Sequence, residues 1–230
     1  MDNITLKEKI LETIVSKSTL KQKVFDNTFG VFNELKDTLL ELASELDDAL
    51  EGRIDRRVRL EYRDRGKFEA QLQLANDILI FQMHTDVFEF DRDHPVWHNP
   101  YVQQERKNSY CGVINIYNFL SDSFKFNRNA DEGYLIARIF INRNRHYFAE
   151  GKRQHAMRAD RFGSAEISRD SLIRHLETAI DYALNFDLLV PPYETNKRVT
   201  VDQFNTKMDN SKFVTGKRIG YDFTTDKEEA

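Results

Sequence analysis

Apolar positions along the chain follow two periods, and the switch between them divides the sequence. Ile4, Ile10, Leu11 and Ile14 fall at helical spacing and stop at the polar run Ser16-Lys17-Ser18-Thr19, which predicts a short first helix. From Leu20 to Leu50 a longer helix is expected. Phe25, Phe32, Leu39 and Leu46 recur every seven residues, with Phe29, Lys36, Ala43 and Leu50 on the neighbouring row. Val24, Val31, Leu35 and Leu42 widen that stripe, so it suits packing on a sheet, with a homodimer seam through helix 20–50 as the competing use. Gly52 and the arginines after it are stop signals.

Beyond Arg57 the period falls to two. Val58, Leu60 and Tyr62 alternate with charged residues, and Asp64-Arg65-Gly66 marks a turn. Phe68, Ala70, Leu72 and Leu74 alternate with Glu69, Gln71 and Gln73, which describes a strand with one wet face. Ile78 to Phe81 is apolar on both faces and is expected to be central and covered twice. Further strands are expected at Val87–Phe90, Tyr110–Tyr117, Phe124–Phe126, Tyr134–Ile141 and His146–Glu150, with an ordered loop over 91–108. Connections this short leave no room for helical crossovers, so the sheet at about 57–150 should be mainly antiparallel. Ser168 is a candidate N-cap for a C-terminal helix at about 168–186, with Leu172, Leu176, Ile180 and Ala183 on its buried face. Pro191-Pro192 ends that region, a short helix is expected near Val201–Met208, and 224–230 reads as a disordered tail. The class is therefore α+β, in a single domain over 1–223 with a helical part at 1–52.

Seventeen Phe residues call for a thick aromatic core, and nine Gly with four Pro argue against a repeat-like chain. A lone cysteine, Cys111, cannot form an internal disulfide; it heads an apolar run and reads as a core residue in a reducing compartment. A charged N-terminus and the lack of a long uncharged apolar stretch place the protein in the cytoplasm, away from membranes.

Net charge is only −4, yet its distribution is uneven. Residues 34–51 hold seven acids and one lysine, whereas 53–67 hold seven bases against three acids. The block from Arg143 to Arg161 holds six bases against Glu150 and Asp160, interleaved with His146, Tyr147, Phe148 and His155. Guanidinium forks hold phosphate oxygens and flat rings stack on bases, so Arg143, Arg145, Tyr147, Lys152, Arg153 and Arg158 form the candidate binding set. The structural alternative is that these arginines pair with the acidic helix.

Two further constellations carry chemistry. Asp131 followed by Glu150-Gly151-Lys152 resembles, over those residues alone, the metal-binding core of restriction-endonuclease-like nucleases. The resemblance implies Mg²⁺ held by the two carboxylates, with Lys152 beside the phosphate. A glycine inside the motif departs from the pattern, and Glu34-Leu35-Lys36 matches it equally on a helix. His94 and His98, with His84 and neighbouring aspartates, have metal-like spacing, but Pro95 and Pro100 argue for loop-anchoring hydrogen bonds instead. No nucleophile elbow, phosphate loop or dinucleotide fingerprint occurs, so no resident cofactor or metal is expected. The leading expectation is a non-enzymatic binding or regulatory module for an anionic ligand or partner: a nucleotide, a nucleic acid or an acidic protein surface. A metal-dependent nuclease and a subunit acting through protein contacts are the alternatives.

Overall fold

The structure, a computed structural model, describes residues 5–55, 58, 60–129, 131–154, 158–186, 193–198 and 200–201. The expected helix at Val201–Met208, the tail at 224–230, the prolines 191–192, Arg56, Arg57, Arg59 and His155 lie wholly or mainly outside those residues. Two helices lead the chain, α1 (Leu6–Thr13) and α2 (Thr19–Leu50). Six strands follow: β1 (Leu60–Asp64), β2 (Glu69–Leu74), β3 (Asp77–Met83), β4 (Cys111–Leu120), β5 (Tyr134–Asn142) and β6 (Tyr147–Gly151). Between β3 and β4 lies α3 (Pro100–Gln104), between β4 and β5 lies α4 (Ser121–Lys125), and α5 (Arg169–Leu184) comes after the sheet. Each strand pairs antiparallel with the next, giving one sheet in the order β1-β2-β3-β4-β5-β6.

The expected α+β architecture is therefore present, with the period-two residues setting the layers. Ala70, Leu72 and Leu74 of β2 share a face with Leu79 and Phe81 of β3, Ile114 and Ile116 of β4, and Ile139 and Ile141 of β5. Against that face pack Val31, Phe32, Leu35 and Leu39 of α2 and Leu172, Leu176 and Ile180 of α5. The wide stripe of α2 thus covers the sheet, which is also the face on which a dimer seam through 20–50 was expected. α5 begins as the sequence predicts, with the Ser168 side chain accepting from the Ser171 amide.

The opposite face is only partly covered. A smaller cluster of Val96, Val102, Cys111, Val113, Phe140, Phe148 and Phe162 seals its β4–β6 end beneath the 88–109 segment. Asn99 clamps that segment: its Nδ2 donates to the carbonyls of Ala159, Asp160 and Phe162 at 2.9–3.0 Å, while its Oδ1 accepts from the Tyr101 amide.

Four local expectations are corrected. The polar run at 16–19 does not break the helix; a π-helical turn at Ile14–Ser18 carries α1 directly into α2. No residue of α1 is buried, and Leu6, Ile10 and Leu11 are exposed, so its apolar stripe has no core to enter. Val87–Phe90 forms one isolated bridge, Phe88 to Cys111, in place of a strand. Phe124–Phe126 is no strand either: Phe124 lies in α4 and Phe126 caps it, Ser121 to Lys125 forming a single helical turn. Finally, β3 is fully covered on one face only. Leu79 and Phe81 face the helices; on the other face Ile78 is buried, but Ile80 stays half-buried, so the second cover is partial.

Candidate ligand cleft on the uncovered sheet face

Register places the alternate residues of β1 to β5 in rows across the uncovered face. One row runs Arg63, Gln71, Ile80, Tyr117 and Leu135. The next runs Glu69, Gln82, Asn115, Arg138 and Glu150. A β-bulge between Ile116 and Tyr117 lets Leu135 and Arg138 both stay on this face, three residues apart.

Where α4 stands over β1–β3 a cleft of about 890 Å³ opens, within the size range of small-ligand sites. Gln71, Gln73 and Ile78 are among the strand residues lining it, Arg63, Asp64 and Arg65 form one wall, and Ser121, Asp122, Phe124 and Lys125 form the other. Gln71 is only 4% exposed. Its Oε1 accepts a 2.6 Å hydrogen bond from Arg65 Nη1, which fixes the amide orientation because a guanidinium can only donate. The Gln71 Nε2 group is therefore turned away from Arg65, and it has no acceptor among the described residues. Gln73 is oriented the other way: its Nε2 donates to Ser121 Oγ and the Ala75 carbonyl, which leaves Oε1 open.

The charges around the cleft differ in how they are answered. Asp64 is held by Lys36 Nζ at 2.6 Å and accepts from the Gly66 amide, and these contacts keep its carboxyl below the usual range. Asp122 lies 3.8 Å from Arg128. Arg63 forks onto Glu61, and Arg65 pairs with Glu69 while lying over the Phe124 ring. Lys125 has no carboxylate partner among the described residues; its ammonium sits 5.1 Å from the Phe126 ring centre. Phe124 itself is 40% exposed.

The residues expected to bind are not gathered into one site. Arg145 forks onto Glu34 of α2 at 2.8–3.0 Å, and Arg143 donates to Asn108 Oδ1 with Glu105 3.8 Å away. Arg153 pairs with Asp181 of α5 and lies over Tyr182. Tyr147 is buried on the helix side against His175, and Lys152 and Arg158 are exposed, Arg158 beside a separate hollow of about 430 Å³. Thus Arg145 answers an acid of the acidic helix, as the structural alternative held, while Arg153 answers Asp181 on α5.

Asp131, Glu150 and Lys152 are not brought together around a common point. Asp131 accepts from Ser123 Oγ at 2.8 Å and lies 3.7 Å from Arg128. Glu150 instead takes Arg138 at 2.6 Å and His94 Nε2 at 2.7 Å. Glu150 sits opposite Arg138, and Tyr134 lies about 13 Å from Arg138 along β5 with Asp131 beyond it. Among the described residues no group of three or more His, Cys, Asp or Glu side chains is placed to hold a metal ion. His94 is a loop anchor: its Nδ1 accepts from the Val96 amide, so the ring proton sits on Nε2 and is donated to Glu150. Cys111 is fully buried and burial pushes its thiol pKa up, which suits a core residue and not a nucleophile.

A second hollow of about 770 Å³ surrounds Trp97, where Arg106 lies over the indole. Its polar lining side chains, Glu89, Arg92, Gln103 and Arg106, are all exposed, so none of them depends on a ligand for a hydrogen bond. Gln71, Gln73 and Lys125 were not among the residues expected to bind. The available signal was chemical: the wet face of β2 carries uncharged amides at Gln71 and Gln73, where a merely solvated face would carry more charge. No helix among the described residues is long and apolar enough to cross a membrane. No family model, no curated protein and no solved structure matches the chain.

Proposed function

We propose that the chain is a non-enzymatic binding module and that its ligand is anionic, held in the cleft between β1–β3 and α4. The observation that carries this reading is Gln71 at the cleft: Arg65 takes its Oε1, and its Nε2, with no acceptor among the described residues, is open to solvent and to a ligand oxygen. Lys125 supplies a cation with no carboxylate partner among the described residues, while Arg63 and Arg65 at the opposite wall can share their donors with an incoming oxyanion. Phe124 offers an exposed apolar face between them.

The anion is tested by thermal unfolding with inorganic pyrophosphate as the probe. A ligand at a hundred times its dissociation constant should stabilise the fold by roughly 2.7 kcal/mol. The expected result is a rise in Tm for the wild type, at least tenfold weaker in apparent affinity for Lys125→Glu. Equal shifts in both proteins, or none in either, would remove the cleft from consideration.

A further inference from the structure

The helical arm that leads into α2 carries an apolar stripe with nothing in the chain to cover it. Leu6, Ile10, Leu11, Ile14 and Val15 are each more than half exposed, and every residue from 5 to 19 is open to solvent. In an unbroken α-helix Leu6, Ile10 and Ile14 would stand about five turns ahead of Val24, Thr28 and Phe32 and share their buried face. The π turn at Ile14–Ser18 adds a residue to the turn, which rotates the arm by about 100° off that face. Its stripe then follows the outward row of α2, through Asp26, Gly30, Asn33, Asp37, Leu40 and Ser44, none of them buried. Contiguous exposed apolar stripes of this kind mark contact surfaces.

Charge indicates what covers it. Between Leu6 and Lys23 stand five lysines against Glu8 and Glu12, so two arms laid on each other would set like charges together. The other end of the same helix is acidic. There Glu34 and Glu41 are answered by Arg145 and Arg169, but Asp37, Asp47 and Asp48 have no cation partner among the described residues. Leu40 stands among these acids, 51% exposed. Lys7 and Ile14 are seven residues apart, as are Leu40 and Asp47, so one antiparallel register seats Ile14 on Leu40 and Lys7 on Asp47.

We propose that the covering surface is a second copy of this chain, in an antiparallel two-fold pair where each copy's arm lies along the outer face of the other's α2. The symmetry makes every contact twice. In that register the axis passes Asn27, within a turn of Gly30. A glycine inside a helix weakens it relative to alanine, and nothing in the chain requires one here, since an added Cβ would meet only the Arg145 guanidinium at an ordinary 3.8 Å. A second helix crossing closely at the axis does require it. An anionic lipid surface would also attract the lysines, but it leaves Gly30 and the unanswered acids unexplained. It would also press Lys7, whose helical neighbours are Ile10, Leu11 and Ile14, into the apolar layer.

Sedimentation velocity of the full chain across micromolar concentrations tests the pair through charge reversal. The wild type should dimerise. Lys7→Glu and Asp47→Lys should each weaken the dimer roughly tenfold, and the two together should restore it. Cys111, the one native cysteine, is fully buried, so introduced cysteines report alone. Ile14→Cys combined with Leu40→Cys should link two copies under diamide, because the two positions lie about 39 Å apart on one helix and cannot meet within a chain; either substitution alone should not. A monomer at every concentration, or a dimer indifferent to both reversals, would overturn the proposal. So would linking by Ile10→Cys alone, which pairs arm with arm. Flotation of a monomeric wild type with phosphatidylserine vesicles, lost in Ile10→Asp, would overturn it too and assign the stripe to lipid.

Discussion

Unfolding free energy should fall by about 3 kcal/mol as the pH is lowered from about 6.5 to about 4, through His175 alone. This histidine is buried on α5, its Nδ1–H donating to Gln154 Oε1 at 2.5 Å while Gln154 Nε2 returns a bond to the His175 carbonyl. Burial, with a smaller contribution from Arg174, lowers its pKa from 6.5 to about 4. The unfolded chain therefore takes up a proton near pH 6.5, whereas the folded chain excludes it until about pH 4. Between those values the unfolded state binds more protons, so stability rises with pH across the window, is complete above it and is lost below it. At roughly 1.4 kcal/mol for each pH unit the gap amounts to about 3 kcal/mol. Asp64, held low by Lys36, contributes in a separate window below its ordinary value of 3.8. Urea titrations at a series of pH values should show the slope between pH 6.5 and 4 in the wild type and its loss in His175→Gln. A slope that persists in His175→Gln would assign it to other groups.

The second large effect is steric. Gly112 lies on the helix side of β4 against Thr28 of α2, and a Cβ at that position would stand 2.2 Å from Thr28 Oγ1 and 2.8 Å from Thr28 Cβ. Thr28 is fully buried and its hydroxyl donates to the Val24 carbonyl within the helix. Rotating the threonine cannot clear the space, because its own Cβ is also too close; α2 must move off the sheet. Overpacking of this kind costs about 1–3 kcal/mol, and Gly112→Ala is expected at the upper end, about 3 kcal/mol by chemical denaturation. Thr28→Ala should recover only part of the loss, since the Cβ contact remains. An unchanged midpoint for Gly112→Ala would mean that α2 does not approach β4 so closely.

The layers of the fold were legible because they follow from periodicity. The shift from 3.6 to 2 at the start of the sheet, the wide stripe of α2 and the Ser168 cap all depend on residues near one another in sequence. Short connections dictated the antiparallel pairing within β1–β3 and of β5 with β6, though not that of β4 with β3, which 84–110 joins. Misreadings arose where tertiary context decides. Phe124–Phe126 has strand-like composition, yet α4 turns there because β4 already runs on to Leu120. The apolar residues of β3 were read as a doubly covered strand, although on Ile80's face α4 reaches only the Ile78 end and the larger cover lies over β4–β6. The pairing of the arginine block was not legible for an electrostatic reason. A run of arginines in sequence reports charge but not its partners, and Glu34 and Asp181 lie far away along the chain. For an amide such as Gln71 the sequence offers only that uncharged residues stand on the wet face of β2. It becomes informative only when its burial and the Arg65 contact are known.

The most direct measurement of the central claim is a two-dimensional ¹H–¹⁵N NMR titration with pyrophosphate, following the side-chain amide of Gln71 and the backbone amides of Arg143–Arg158. The account predicts that the Gln71 Nε2 resonances and the backbone of Ser121–Lys125 shift together, saturably, while Arg143–Arg158 stays still. Shifts confined to Arg143–Arg158, with Gln71 unmoved, would contradict it and return the anion site to the arginine block.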